Sequence, residues 1–185
     1  MKNKLSAGMD APDFKFNTPW RQGLAFHDGF KDGLALLVFL RYLGCPLCQL
    51  KIDEILAEEF RFQDAGISLF VVLQSSSASV RGYYRETDIP FSLICDPEGK
   101  IYECYGVVTG SIFRYITPGV LKKVASAKKH GIRHGKKEGK ELQLPAIFII
   151  SSGGRIAYAG YGKNIGDVPE NEALFEMIAN MKDRR

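Results

Sequence analysis

Two cysteines separated by two residues are the residues of this chain best suited to chemistry. They form the motif Cys45-Pro46-Leu47-Cys48. A cysteine thiolate attacks disulfides and peroxides, and a second thiol one helical turn away can form a disulfide with the first. The spacing therefore predicts a redox pair. Two other interpretations stay open, namely buried cysteines without a role and half of a zinc site, which needs about four ligands. The remaining candidate ligands form no second compact pair: Cys95, Cys104, His27, His130 and His134.

The residues around the motif favour a reactive first cysteine. An apolar run ends at Gly44, so Cys45 is expected at the start of the next helix, with Pro46 in the first turn. The N-terminus of a helix carries partial positive charge and free N–H donors, which stabilise a thiolate. We therefore predict a lowered pKa for Cys45, which attacks, and assign Cys48 as the resolving thiol.

The elements that must position this pair alternate between strand-like and helix-like patterns. Continuous apolar runs predict buried strands, and helical spacing of apolar residues predicts amphipathic helices. This alternation predicts an α/β fold with a mixed central sheet and helices on both faces. The predicted strands are 33–42, 67–73, 91–94, 146–150 and 156–159, and the predicted helices are 46–60, 76–88, 101–105, 117–128 and 169–182.

The size and composition of the chain fit one globular domain over residues 1–185. It has 185 residues, 45% of them hydrophobic and 25% charged, with a net charge of +4. No apolar stretch is long enough to span a bilayer, and the basic N-terminus lacks the apolar run of a signal peptide. No phosphate-binding loop is present. We therefore expect a cytoplasmic protein without cofactor, metal, membrane or nucleic-acid partner.

A basic segment around residues 122–141 supplies the positive net charge. It is interpreted as an insertion before the late strand, most simply a solvated loop, because charge runs are usually exposed. An anionic partner, such as an acidic protein face or glutathione, is the alternative. No aromatic residue lies among the basic ones, which disfavours nucleic-acid binding. Cys95 and Cys104 are interpreted as structural, with a second redox pair as the alternative.

Several segments together resemble one family. Residues 38–48 (VFLRYLGCPLC) are similar to the strand-to-helix turn of peroxiredoxin-like proteins of the AhpC/TSA group, in the thioredoxin superfamily. Further similar segments are GMDAPDF at 8–14, DPEGKIYECYGV at 96–107 and LPAIFIISSGGRIAY at 144–158. The resemblance covers the chain from about residue 8 to the last helix. It implies a thioredoxin-like fold, a thiol reductant and a homodimer.

The chain also departs from that family at its site. Val38 and Tyr42 stand where typical peroxiredoxins have a proline and a threonine or serine, so a phenol replaces the hydroxyl that helps bind peroxide. Pro145 stands in place of an arginine, and the resemblance to thioredoxins implies a cis-proline there that faces the cysteines. Arg41 is a further source of positive charge, without a predicted direction. We therefore list Pro145, Tyr42 and Arg41 as substrate-positioning residues.

Two functions follow from these expectations. The first is a thiol-dependent oxidoreductase in which Cys45 attacks a peroxide or a disulfide and Cys48 resolves the product. A thioredoxin-like protein or a small thiol then restores the dithiol. The second is a redox-sensing or partner-binding module in which the same pair switches without turnover. The sequence does not rank peroxide against disulfide as the substrate.

Overall fold

A five-stranded mixed sheet forms the centre of the molecule. The structure is a computed structural model and describes residues 4–30, 33–114 and 117–182. The sheet has the strand order β5-β4-β3-β6-β7, and a two-stranded antiparallel pair, β1 and β2, precedes it in the chain. The strands are β1 (Lys15–Phe16), β2 (Leu24–Ala25), β3 (Leu34–Phe39), β4 (Ile67–Leu73), β5 (Ser92–Cys95), β6 (Ala146–Ile150) and β7 (Ile156–Tyr161).

Six α-helices connect or follow these strands within the described residues. They are α1 (Pro46–Ala57), α2 (Glu59–Asp64), α3 (Ser77–Arg81), α4 (Lys100–Cys104), α5 (Pro118–Lys129) and α6 (Asn171–Lys182). No helix among those described is both long and apolar enough to cross a membrane.

The central strand β3 joins the parallel and antiparallel halves of the sheet. Val38 pairs with Val71 of the parallel neighbour β4 on one side and with Ile147 of the antiparallel neighbour β6 on the other. All six residues of β3 are buried, as its continuous apolar run predicts for a strand covered on both faces. The carboxyl end of β3 therefore lies in the middle of the sheet, and the chain that leaves it carries the cysteine motif.

Hydrophobic cores lie on both faces of the sheet. Alternate residues of β3 point to opposite faces: Leu36 and Val38 belong to one core, and Leu37 and Phe39 to the other. The first core also contains apolar residues of α1, α2, α5 and α6, and the second contains those of α4 and of the N-terminal segment. The predicted mixed sheet with helices on both faces is confirmed, whereas one domain over residues 1–185 stays a prediction.

Two predicted helices are shorter in the structure. The helix expected over residues 46–60 ends at Ala57, because Glu58 leaves the helical conformation (φ −122°, ψ 18°) and α2 begins after it. Phe60, expected on the buried face, is 60% exposed as a result. The helix expected over 76–88 ends at Arg81, and Gly82 caps it. The strand pair β1–β2 was not predicted, since two-residue strands carry no periodic signal.

Candidate active site

Cys45 is the N-cap residue of α1, as predicted. Its backbone is extended (φ −79°, ψ 124°), and its carbonyl oxygen accepts hydrogen bonds from the N–H groups of Cys48 and Gln49, both at 3.0 Å. Pro46 occupies the first helical position, where its missing N–H leaves no hydrogen bond unmade. Cys45 is 0% and Cys48 is 4% exposed, and both are thiols without a disulfide. The local sequence thus places both sulfurs on one side of the first helical turn.

Arg41 contacts both cysteines. Its side-chain Nη2 donates a hydrogen bond to Cys45 Sγ at 2.8 Å, and its backbone N–H donates one to Cys48 Sγ at 3.3 Å. The guanidinium Nη1 also donates to the carbonyl oxygen of Glu141. Arg41 is 2% exposed, so its charge acts in a region of low dielectric constant. The direction of this side chain, which the sequence left open, is toward the Cys45 sulfur.

The two thiols have opposite pKa shifts. The hydrogen bond from Cys48, together with the charge and hydrogen bond of Arg41, lowers the pKa of Cys45 to about 5, although burial opposes this shift. Burial raises the pKa of Cys48 well above its usual range, and the neighbouring Cys45 adds to that shift. At neutral pH, Cys45 is therefore a thiolate and Cys48 a thiol that donates to it.

The hydroxyl of Tyr42 reaches the segment that follows α5. Its hydroxyl lies 3.3 Å from Nε2 of His134 and donates to Oε1 of Glu141 at 3.4 Å. Its ring lies beneath the guanidinium of Arg41, 5.3 Å from centroid to Cζ. Tyr42 therefore contacts the charged residue of the site and a distant part of the chain at the same time.

The cis peptide expected before Pro145 is absent: all described peptide bonds are trans, that of Leu144–Pro145 included. The expectation came only from the resemblance to thioredoxins, and here the preceding residues pair with residues 108–110. The Leu144 N–H donates to Val108, and Gly110 donates to the Leu142 carbonyl oxygen. Pro145 nevertheless lies near the motif, because it lines a cavity of about 20 Å³ together with Cys48 and Arg41. Such a cavity has room for about one water molecule.

The basic segment differs in part from the solvated loop expected. Most of its side chains are exposed, but its main chain passes directly over the residue before Cys45. Gly135 donates a hydrogen bond to the carbonyl oxygen of Gly44 at 2.8 Å. A Cβ atom at Gly44 would lie 2.1 Å from the carbonyl oxygen of Lys136, so the backbones of these two segments are in direct contact. We call residues 131–141 the covering segment.

Polar side chains hold the covering segment in place. It makes hydrogen bonds to residues of four neighbouring loops and helices, besides the contact with Gly44. The hydrogen-bonded pairs are Tyr42 with His134, Gln49 with Arg133, Gln74 with Lys140, Ser79 with Glu138 and Arg41 with Glu141. Sequence reasoning missed these partners, because they lie tens of residues apart and show no periodic pattern. The segment thus lies against Gly44, the residue before the buried Cys45.

The other two cysteines belong to other elements of the fold. Cys95 is half-buried at the end of β5, where burial raises its pKa, and Cys104 is exposed at the end of α4. Among the described residues, no group of three or more His, Cys, Asp or Glu side chains is arranged to hold a metal ion.

The family model of the AhpC/TSA antioxidant enzymes matches residues 55–164 of the chain, a range that begins within α1 beyond Cys48. Curated relatives include a chloroplastic thioredoxin-like protein, AAED1, of Arabidopsis thaliana, 27% identical over 159 residues, which are 80% of this chain and 63% of that protein. Peroxiredoxin-like 2C of Bos taurus is 28% identical over 86 residues, 46% of this chain and 38% of that protein. The chain thus spans less than two thirds of the length of these relatives.

Solved peroxiredoxin structures share the fold. Peroxidoxin BcpB from Mycobacterium tuberculosis superposes with a TM-score of 0.65 at 13% identity, over 98% of this chain and 99% of that chain. A reduced 2-Cys peroxiredoxin from Plasmodium vivax gives a TM-score of 0.70 at 14% identity, over 97% and 83%. At such identities the similarity establishes the thioredoxin-like fold alone. With the family match over more than half of its length, the chain belongs to the AhpC/TSA antioxidant enzyme family.

Proposed function

We propose that the protein is a thiol-dependent peroxidase in which Cys45 is the attacking residue and Cys48 the resolving one. The Cys45 thiolate attacks one peroxide oxygen, the O–O bond breaks, and the second oxygen leaves and takes a proton to give water or an alcohol. Cys45 is oxidised to a sulfenic acid. The Cys48 thiol then attacks this sulfur and releases water, and the resulting disulfide is reduced by a thioredoxin-like protein or a small thiol.

The contact between Arg41 and Cys45 carries this proposal. A thiolate is the nucleophilic form of cysteine, and a buried thiolate needs an opposite charge close to it. Arg41 supplies that charge at 2.8 Å and, after the larger effect of the hydrogen bond from Cys48, helps to lower the pKa of Cys45 to about 5. The same guanidinium is placed to stabilise the negative charge that develops on the leaving oxygen, which is the usual role of a fixed cation in a buried site. Arg41 is therefore assigned as a positioning residue.

The raised pKa of Cys48 fits the role of a resolving thiol. Because burial keeps Cys48 protonated, it does not compete with Cys45 for the peroxide. Once Cys45 is a neutral sulfenic acid, the negative charge beside Cys48 is gone and its proton is lost more easily. The order of the two steps thus follows from the difference between the two pKa values.

Reduction of disulfides by the same pair is a second candidate. Two observations favour it: Cys48 lies one turn from Cys45, and Pro145 lines the same small cavity as Cys48. In this reaction the Cys45 thiolate attacks one sulfur of the substrate disulfide and Cys48 displaces the mixed disulfide that forms. A switch without turnover is less favoured, because the family is one of antioxidant enzymes. A cytoplasmic location and a homodimer remain part of the proposal.

The test compares the purified protein with Cys45→Ser and Cys48→Ser. Consumption of hydrogen peroxide is followed with a thioredoxin system and, separately, with a small thiol as the reductant. We expect turnover in the unchanged protein and none in Cys45→Ser. Cys48→Ser should accumulate over-oxidised Cys45, because the sulfenic acid is not resolved.

The control is Cys104→Ser, which removes an exposed thiol away from the site. It should turn over like the unchanged protein. Peroxide turnover that survives in Cys45→Ser, or its absence with every reductant, would overturn the proposal. Trapping of a protein disulfide substrate on Cys45 in Cys48→Ser, without peroxide turnover, would favour the second candidate.

A further inference from the structure

A groove beside the cysteine motif has no role in the function proposed so far. It lies between the last turn of α5 and the first turn of α1 and has a volume of about 540 Å³. Pro46, Val124 and Ile132 form its apolar part. Cavities that hold small molecules in proteins commonly have about 300–1,000 Å³ and an apolar lining with few polar groups. The size thus suits a small molecule better than the face of a protein.

The remaining side chains that line this groove are basic. Lys128, Arg133 and His134 belong to it, and no acidic residue does. Neither Lys128 nor Arg133 forms an ion pair with a described residue. Other cations of the same region differ in this respect: Lys123 is paired with Glu170, Lys136 with Glu138 and Lys137 with Glu141. The groove therefore offers two unpaired positive charges next to an apolar surface.

The groove adjoins the attacking cysteine. Pro46 is the next residue after Cys45, and Arg133 and His134 belong to the covering segment. The same segment contacts Gly44 through Gly135. A molecule in the groove thus touches both the first turn of α1 and the covering segment, next to the residue that follows Cys45.

From this arrangement we infer that the groove binds a small thiol that carries carboxylate groups, R–SH, while its sulfur is joined to Cys45 as a mixed disulfide. The inference rests on the proposed function, in which Cys45 is the attacking thiolate, and adds the class and the site of the reductant. Carboxylates of R pair with Lys128 and Arg133, and the apolar part of R lies on Pro46 and Ile132.

The chemistry balances with two molecules of the thiol. The first, as R–S⁻, attacks Sγ of Cys45 in the Cys45–Cys48 disulfide; the S–S bond breaks, and the Cys48 sulfur leaves and takes a proton from solvent. The second attacks the R sulfur of the mixed disulfide and breaks the S–S bond, which releases R–S–S–R and the Cys45 thiolate. Two thiols are oxidised to R–S–S–R as the Cys45–Cys48 disulfide is reduced. The low pKa of Cys45 makes it a good leaving group in the second step.

The test runs the second step in reverse, since the same groove then accepts R from an oxidised disulfide. The protein carries Cys48→Ser, so that the mixed disulfide on Cys45 is retained. The probes are oxidised glutathione, which is anionic, and cystamine, which is cationic. Rates of modification of Cys45 are measured at low ionic strength by peptide mass spectrometry, which separates Cys45 from Cys95 and Cys104. In Lys128→Gln/Arg133→Gln we expect the rate with oxidised glutathione to fall about tenfold and the rate with cystamine not to fall.

The matched control is Lys122→Gln/Lys129→Gln, which removes two exposed charges of α5 outside the groove. It should leave both rates nearly unchanged, and alkylation of Cys45 by neutral iodoacetamide should be equal in all variants. An equal fall in both double variants, or no fall in either, would overturn the inference. Slower reduction by thioredoxin in the groove variant, with unchanged glutathione rates, would assign the groove to a protein partner instead. Cys45 unreactive toward both probes in every variant would contradict the proposed function itself.

Discussion

The two cysteines proposed to react, Cys45 and Cys48, are less exposed than Cys95 and Cys104, to which no reaction is assigned. Cys45 and Cys48 are buried, whereas Cys95 is half-buried and Cys104 exposed. Yet the pKa of Cys45 is lowered to about 5, and that of Cys95 is raised by its burial. Arg41 donates directly to Cys45, whereas Arg81 acts on Cys95 only as a nearby charge.

The difference shows that the hydrogen bond from Cys48, together with the charge and hydrogen bond of Arg41, outweighs burial in lowering the pKa of Cys45. Burial alone disfavours the charged form of any thiol. A hydrogen bond from a charged donor contributes about 1.5–3 kcal/mol, so Arg41 adds to the effect of Cys48 against that penalty. Cys45 has such a donor and a helix N-terminus, and Cys95 at the end of a strand has neither.

The largest expected effect comes from removal of that donor. In Arg41→Gln, the pH at which Cys45 becomes reactive toward iodoacetamide should rise by about one to two units, because a charge-assisted hydrogen bond is lost. The reaction of each cysteine is followed over pH by peptide mass spectrometry.

Arg81→Gln is the matched control, since the charge of Arg81 acts on Cys95. This variant should leave the Cys45 profile unchanged. Arg41→Lys keeps a charge and should recover part of the shift. A Cys45 profile that does not move in folded Arg41→Gln would refute the assignment of Arg41.

The next largest effect is expected in the pH dependence of the free energy of unfolding. Folding lowers the pKa of Cys45 from its ordinary value of 9.0 to about 5. Between these values the unfolded chain keeps a proton on Cys45 that the folded protein lacks, so stability from this residue rises with pH, by up to about 1.4 kcal/mol per pH unit. Cys48 stays protonated when folded, so its contribution falls above about pH 9. Urea unfolding of the reduced protein from pH 6 to 8 measures this slope.

The slope should be smaller in Cys45→Ser and unchanged in Cys104→Ser. Equal slopes in the unchanged protein and Cys45→Ser would show that the Cys45 thiolate is not stabilised by folding.

Loss of a single hydroxyl should test how burial limits access. Tyr42→Phe removes the hydrogen bonds from Tyr42 to His134 and Glu141 of the covering segment. Neutral hydrogen bonds contribute about 0.5–1.5 kcal/mol, so transient opening and alkylation of Cys45 at neutral pH should become about two- to tenfold faster. The rate for Cys95 should stay the same. A slower or unchanged rate for Cys45 would mean that the covering segment does not control access.

The smallest effect is expected for the exposed cysteine. Cys104→Ser should change the free energy of unfolding by less than about 0.5 kcal/mol, because an exposed surface substitution breaks few contacts. Peroxide turnover should be the same as in the unchanged protein. A loss of turnover would place Cys104 in the reductive pathway and remove the contrast between the two pairs.

Local sequence predicted the elements that hold the cysteine pair. The apolar runs gave the bounds of β4 and β6 as the structure has them, since a strand buried on both faces has no polar positions to blur its ends. Pro46 located the start of α1 and therefore the cap position of Cys45. These inferences depend on neighbours in the chain, and the sequence displays such neighbours directly.

The surroundings of the pair could not be predicted in the same way. Arg41 lies after the end of β3, where the alternation that would orient a side chain has stopped. Its partner Glu141 is 100 residues away. Apart from Ile132, the covering segment consists of polar residues and glycines, so it gives no periodic hydrophobic signal. Pro145 was assigned a cis peptide by analogy with thioredoxins and not from neighbouring residues, whereas the structure has a trans one.

The contact between Gly44 and Gly135 has a consequence for the engineering of this protein. Each glycine lies where a Cβ atom would collide with a neighbouring group: at Gly44 with the carbonyl oxygen of Lys136 at 2.1 Å, and at Gly135 with the hydroxyl of Tyr83 at 2.1 Å, with the Gly44 Cα in tight contact at 3.2 Å. The fit of the covering segment over Cys45 thus depends on two absent side chains. Alanine or serine at either position would displace the covering segment, by a distance that increases with the size of the side chain. A series of substitutions of increasing size would therefore adjust the accessibility of the Cys45 sulfur, without any change to the residues that lower its pKa.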